Sequence, residues 1–195
     1  YIGKNSSEVS IKYITATSDT IFAATDNEIY FANLADNLKD YAYWQTRSYP
    51  SGKINGLRAY KNDLYLLVDQ KLYFYDEQTW NSIETNDSPP FRSLCATKNG
   101  LFAFPYAKYG VWKIYEEDHS IALYMTYAYS FAIEEDGQAF WLGTEKNGLV
   151  RLYKTEEPRY QKNIQENHPE GPLSNYAYRL KFFGDKLYML PGGRW

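Results

Sequence analysis

Five short apolar segments recur along the chain at a nearly constant spacing, and nothing else in the sequence constrains the fold as strongly. They are residues 21–25 (IFAAT), 64–68 (LYLLV), 101–105 (LFAFP), 139–143 (AFWLG) and 187–191 (LYMLP), whose starts lie 43, 37, 38 and 48 residues apart. Self-similarity at a period of about 40 residues is the mark of a repeat architecture. A turn signal precedes each segment: Ser18-Asp19, Lys61-Asn62-Asp63, Lys98-Asn99-Gly100, Asp136-Gly137 and Gly184-Asp185. Such residues accept the positive φ of tight hairpins. A further apolar run lies before the turn, as at residues 54–60, 91–97, 129–133 and 178–182. A third strand is expected after the segment, at residues 28–33, 71–75, 110–115 and 148–153. More polar stretches around Trp44, Trp80, Ile121 and Tyr160 then supply a fourth.

The unit therefore reads strand, turn, strand, turn, strand, loop, strand, with no helical periodicity sustained over three turns. Four short strands per repeat of this length point to a β-propeller. Leu64-Tyr65-Leu66-Leu67-Val68 is apolar at every position, as a strand is when sheets cover both of its faces. An edge-rich β-sandwich carries a similar pattern and is the competing fold. The predicted class is all-β, a β-propeller with four full four-stranded blades and a partial fifth. Residues 1–195 form one propeller region, with blades near 9–46, 54–84, 91–126, 129–164 and, in part, 176–195. The chain begins at Tyr1 rather than Met and its last blade is partial, so the expectation is a piece of a larger propeller. Its 36 aromatic residues, 21 of them Tyr, are assigned mainly to blade-to-blade packing.

Charge and rare residues narrow the function classes. A net charge of −3, with basic residues scattered singly, gives no footprint for nucleic acid. The longest apolar stretch, residues 121–133, is too short to span a bilayer. One cysteine and two histidines cannot build a zinc-type cluster. No metal, cofactor or catalytic residue is expected.

The fourth repeat carries the sharpest signature: Asp136-Gly137-Gln138-Ala139-Phe140-Trp141-Leu142-Gly143-Thr144, then Asn147-Gly148-Leu149 and on to Tyr153. It resembles the two-component regulator propeller repeat of bacteria. Gly137 and Gly148 are read as turn residues where positive φ is cheap, Trp141 as a large ring buried between blades, and Gly143-Thr144 as the end of the strand. The stretches 51–57 (SGKINGL), 71–76 (KLYFYD), 171–182 (GPLSNYAYRLKF) and 187–193 (LYMLPGG), in their order and spacing, are similar to the N-terminal propeller region of the PorZ-like family of the type IX (Por) secretion system in Bacteroidetes. Glu170 and Leu173 depart from that family's pattern, where Asn and Ser are expected, and put one loop's role in question. The resemblance implies a non-enzymatic, extracytoplasmic component at the outer-membrane surface or in the periplasm, assisting a sortase that attaches cargo to surface lipopolysaccharide. Its implied partners are proteins of that secretion and sortase complex or a surface glycan. The alternative keeps the fold and makes it the periplasmic glycan-sensing propeller of a hybrid two-component regulator.

Other residues carry weaker chemistry. The acidic groups Glu116-Glu117-Asp118, Glu134-Glu135-Asp136 and Glu156-Glu157 could in principle pair across a glycosidase cleft, but read more simply as solvated loop residues. His119 and His168 sit in polar loops, and Cys95 reads as a small core residue, with Arg92 on the other face of its strand. Tyr41, Tyr43 and Trp44, and again Tyr124 and Tyr127, are candidate interaction residues, since aromatics mark binding hot spots. Core filling on strands competes with that reading.

Overall fold

The computed structural model describes residues 9–84, 89–106, 110–126, 130–137, 139–145, 148–153, 164–167 and 177–191. The chain divides into two compact units, residues 1–84 and 85–195.

The first unit holds two four-stranded antiparallel sheets. One runs in the order β1 (Tyr13–Ala16), β2 (Thr20–Ala24), β3 (Ile29–Asn33), β4 (Gln45–Arg47), and the other β5 (Ile54–Tyr60), β6 (Asp63–Val68), β7 (Lys71–Asp76), β8 (Thr79–Ile83). Sequential strands are neighbours throughout, because each turn is too short to skip a strand. The two sheets meet through Phe22, Ala24 and Ile29 on one side and Ile54, Leu57, Leu64, Leu66 and Val68 on the other. Tyr65 and Leu67 point the opposite way along β6 and are also buried. Both faces of that strand are therefore covered, which is why it lacks the polar alternation of a half-exposed strand. Each fully buried leucine contributes roughly 1.5–3 kcal/mol.

Polar contacts fix how the first pair of sheets meets. The amide of Ala59 donates to Thr15 Oγ1 at 2.7 Å, and Trp80 Nε1 donates to the Ser48 carbonyl at 2.8 Å. Arg47 lies over three rings, 4.2 Å from the centroid of Tyr75, 4.5 Å from Phe31 and 5.2 Å from Phe22. Burial lowers the pKa of this guanidinium, yet the ring faces and the side chain's own aliphatic stem make the position tolerable.

The second unit holds two four-stranded sheets and a hairpin. The sheets are β9 (Phe91–Ala96), β10 (Leu101–Pro105), β11 (Val111–Ile114), β12 (Ile121–Met125), and β13 (Ser130–Glu135), β14 (Ala139–Thr144), β15 (Leu149–Tyr153), β16 (Ile164–Asn167); the hairpin is β17 (Ala177–Phe183) and β18 (Lys186–Pro191). Phe102, Phe104, Val111 and Met125 of one sheet pack on Ile133, Phe140, Leu142, Val150 and Leu152 of the next. Cys95 borders this core and its thiol donates to the Ile133 carbonyl at 3.2 Å. The hairpin packs through β17 on β13 and β14, with Leu180 buried.

A threonine closes several of the turns in the same way. The amide and the hydroxyl of Thr97 both donate to the Gly100 carbonyl, and those of Thr144 both donate to the Gly148 carbonyl. Thr17 does the same to Thr20. A β-branched residue suits the strand, and its hydroxyl satisfies the carbonyl just beyond it.

One strand expectation needs correction. Trp44 falls just before β4, as the residue that caps a 3-10 turn of Tyr41–Tyr43. Tyr160 lies outside the described residues; the strand that follows β15 among the described residues is Ile164–Asn167.

Candidate functional site

Within the second unit, three hairpin turns from successive sheets border a cleft of about 740 Å³. Lys98 and Asn99 come from the β9–β10 turn, Asp136 and Gly137 from the β13–β14 turn with Glu135 at the end of β13, and Gly184 and Asp185 from the β17–β18 turn. The walls are Trp141 and Arg151 on one side and Phe182 and Leu187 on the other. The convergence follows from the repeat, since equivalent turns lie at the same end of neighbouring sheets.

Asp136 organises one wall. Its Oδ1 accepts from the Ala139 amide at 2.7 Å, an Asx-type closure that fixes the turn. Its Oδ2 accepts from Trp141 Nε1 at 2.9 Å and from an Arg151 guanidinium nitrogen at 3.0 Å. Strand register makes this possible: Glu134, Trp141 and Arg151 stand opposite one another across β13, β14 and β15. The guanidinium carbon lies 4.9 Å from the Trp141 ring centroid and 4.7 Å from that of Tyr153, and a second Arg151 nitrogen donates to the Tyr153 hydroxyl at 3.0 Å. The tryptophan is thus held on its edge by a carboxylate and on its face by a cation. A wall fixed in this way presents aromatic surface and hydrogen-bonding groups without reorganising.

Trp141 was expected as a ring buried between sheets. Instead it is half-buried and lines the cleft. Alternation along β14 explains the difference: Phe140 and Leu142 enter the core, leaving Trp141 on the face that turns toward the hairpin. The signature glycines Gly137 and Gly148 have φ of +89° and +63°. Gly143 and Thr144 end β14 and are buried.

The acidic groups divide. Glu134 and Glu135 lie in β13 rather than in a loop, and Glu134 is buried, with a carboxylate oxygen 3.6 Å from Lys181 Nζ. Burial pushes the Glu134 carboxyl above the usual carboxylate range, and the Lys181 ammonium only partly offsets this. Hydrogen bonds from Ser120 hold Asp118 below that range, with His119 adding to the effect. His119 has a φ of +54°. His168, Glu156 and Glu157 lie outside the described residues. Among the described residues, no group of three or more His, Cys, Asp or Glu side chains could hold a metal ion.

The candidate interaction aromatics are divided between the two units. Tyr41 and Tyr43 are exposed on the 3-10 turn, not on a strand, because Asp40 caps that turn by accepting from the Ala42 amide. Trp44 Nε1 donates to the Leu38 carbonyl at 3.0 Å. Tyr124 belongs to the second unit and packs edge-on against Phe140 and, tilted, against Phe102, so it fills the core's border. Tyr127 lies outside the described residues. The sequence marks Asp136 as a turn residue, as part of the repeat signature and as one of three neighbouring acids, and gives Arg151 no role. The signal for the second was its place two residues before Tyr153, on the same strand face.

No family model matches the sequence, and no curated protein matches it. Solved structures do match. PorZ, a bacterial surface component of the type IX secretion system of Porphyromonas gingivalis, superposes with a TM-score of 0.61 at 20% identity, over 94% of this chain and 25% of PorZ. The extracellular domain assigned to the hybrid two-component system BT4673 of B. thetaiotaomicron superposes with a TM-score of 0.67 at 13% identity, over 96% of this chain and 27% of its own. YCF48 bound to D1 peptide gives 0.62 at 8% identity, over 93% and 60%. The fold is that of a β-propeller. The chain spans about a quarter of the length of the first two proteins, and at these identities the likeness is one of fold. Among the described residues, no helix is long and apolar enough to cross a membrane.

Proposed function

We propose that the chain is part of an extracytoplasmic binding or scaffold propeller, acting at the bacterial surface in the manner of PorZ. In this reading the blades are a rigid frame and the cleft beside Trp141 is where a partner docks. The observation that carries it is the Asp136–Trp141–Arg151 wall, in which one carboxylate oxygen accepts from both the indole and the guanidinium. Such a wall presents a shaped surface at low entropic cost, which is what a recognition site needs. The partner would be a protein of the secretion and sortase complex or a surface glycan. The string of PorZ-like segments along the sequence supports this reading, as does the shared fold.

The second reading makes the chain part of the glycan-sensing propeller of a hybrid two-component regulator. Its support is the superposition on an extracellular domain of that kind and the regulator-type signature of residues 136–144. Co-purification of the full-length protein from intact cells separates the two. Recovery of sortase components supports the first. A protein recovered without them, whose signalling output responds to added oligosaccharide, overturns it.

A further inference from the structure

Arg47 stands at the junction of two complete sheets, β1–β4 and β5–β8, on the last strand of the first. Register sets it opposite Ile29, so its side chain leaves β4 on the face that packs against the second sheet. There the guanidinium lies over the rings of Phe22, Phe31 and Tyr75, closest to Tyr75 at 4.2 Å. Tyr75 is in turn met edge-on by Trp80 at 5.0 Å, and Trp80 is tied to the residue after Arg47 by its bond to the Ser48 carbonyl.

These rings fix where the charge sits but do not neutralise it. A cation taken partly out of water is ordinarily paired with a carboxylate. Arg92 and Arg151, half-buried like Arg47, follow that rule: a guanidinium nitrogen lies 3.9 Å from Glu145 in the first case and 3.0 Å from Asp136 in the second. Arg47 departs from it. Among the described residues no carboxylate pairs with Arg47, and no group hydrogen-bonds to its guanidinium. Its nitrogens are nevertheless not sealed from solvent, so the guanidinium offers an open hydrogen-bonding edge. A chain of net charge −3 thus holds one cation in place, half-buried, with no anion of its own set against it.

We propose that Arg47 is a recognition residue whose guanidinium takes the carboxylate of an Asp or Glu side chain on a partner protein. The planar fork matches a carboxylate in a bidentate pair. A phosphate dianion calls for a cluster of cations, whereas among the described residues the one ionisable group whose field acts on Arg47 is the Tyr75 phenol. Arg, Tyr and Trp side by side is the composition of a protein–protein hot spot. The three rings have already taken the rotamer freedom that a bound arginine must lose. The exposed side chains along the two outer strands, Gln45, Thr46 and Ser48 on one side and Thr79, Asn81 and Ser82 on the other, are uncharged. They supply the neutral polar rim that surrounds such an anchor. The site belongs to the first unit and does not depend on the cleft of the second.

The test titrates the isotope-labelled 195-residue chain with a synthetic Gly-Ser peptide carrying one central Glu, and follows the Arg47 Nε–H resonance by NMR. The expected result is a saturable shift of that resonance, absent with the same peptide centred on Gln. Arg47→Lys keeps the charge but loses the fork, so its affinity for the Glu peptide should fall at least ~10-fold. The melting midpoint of the variant is measured alongside, and the shift in the parent chain decides the matter even where the variant fails to fold. The proposal is overturned by an Arg47 resonance that does not move, by an equal shift with the Gln peptide, or by undiminished binding to folded Arg47→Lys. Tighter binding of a galacturonate oligomer or of inorganic phosphate than of the Glu peptide overturns it equally.

Discussion

Replacing Asp136 by alanine tests the cleft wall most severely. The carboxylate accepts three hydrogen bonds: the Ala139 amide, the Trp141 indole and the Arg151 guanidinium. The amide bond closes a turn and is worth about 1 kcal/mol net, while bonds involving a charged partner reach ~1.5–3 kcal/mol. Asp136 and Arg151 keep 21% and 24% of their side-chain surface in solvent, so the ionic part is discounted. The expected loss for Asp136→Ala is about 2–4 kcal/mol. With a urea m-value of ~2 kcal/mol/M, the unfolding midpoint should fall by roughly 1–2 M. Equilibrium urea unfolding, followed by far-ultraviolet circular dichroism and by tryptophan fluorescence, measures it. Asp136→Asn keeps one acceptor oxygen, enough for the Ala139 amide, but sets an NH2 donor against the Trp141 indole and the Arg151 guanidinium, and should cost about 1–3 kcal/mol. A cycle combining it with Arg151→Met should return a coupling near 1 kcal/mol. A loss below ~0.5 kcal/mol for Asp136→Ala, the scatter of an ordinary surface substitution, would refute the reasoning.

Three further expectations concern the frame. Gly110→Ala should destabilise by roughly 1–3 kcal/mol in the same urea assay, because φ there is +125° and a Cβ would meet Leu123 Cδ1 at 2.7 Å and the Met125 carbonyl oxygen at 2.9 Å. Arg47→Ala should cost about 1–2 kcal/mol through lost contact with Phe22, Phe31 and Tyr75; thermal melting of both variants in parallel would show it. Glu134 has its folded-state pKa raised by burial, so its contribution favours folding below the unfolded value and is lost as pH rises through the folded one. Glu134→Gln should therefore be more stable than the parent at neutral pH, with the gap narrowing as pH falls toward the ordinary carboxylate range. Paired urea melts at several pH values check this, and a gap that widens on acidification counts against it.

The repeat made the sheets legible because it is written in backbone chemistry. Lys61, at φ +53°, and Gly184, at φ +63°, turn their hairpins at sites the sequence marks as turns, and the unbroken apolar run in β6 announces a strand covered on both faces. The cleft was less legible because its parts are far apart in the chain. Lys98, Asp136 and Asp185 each read as ordinary turn residues, and only sheet-on-sheet packing brings their turns together. Trp141 was read as core because a large ring in an apolar strand usually is. Its true place depended on Arg151 standing opposite it across the sheet, a relation set by register and invisible in linear order. The same holds for Glu134, which looked like one of three loop acids until β13 carried it into the interior. Asp40 concealed the exposure of Tyr41 and Tyr43, since its cap converts an apparent strand into a 3-10 turn.

That the cleft beside Trp141 is a docking site is tested most directly by binding with the wall removed. Full-length protein carrying Trp141→Ala would be used to recover partners from intact cells beside the parent, with circular dichroism confirming that both are folded. The expected result is loss of the sortase-complex partners from the folded variant, because the ring that Asp136 and Arg151 hold in place is gone. Undiminished recovery of those partners by the folded variant would contradict it.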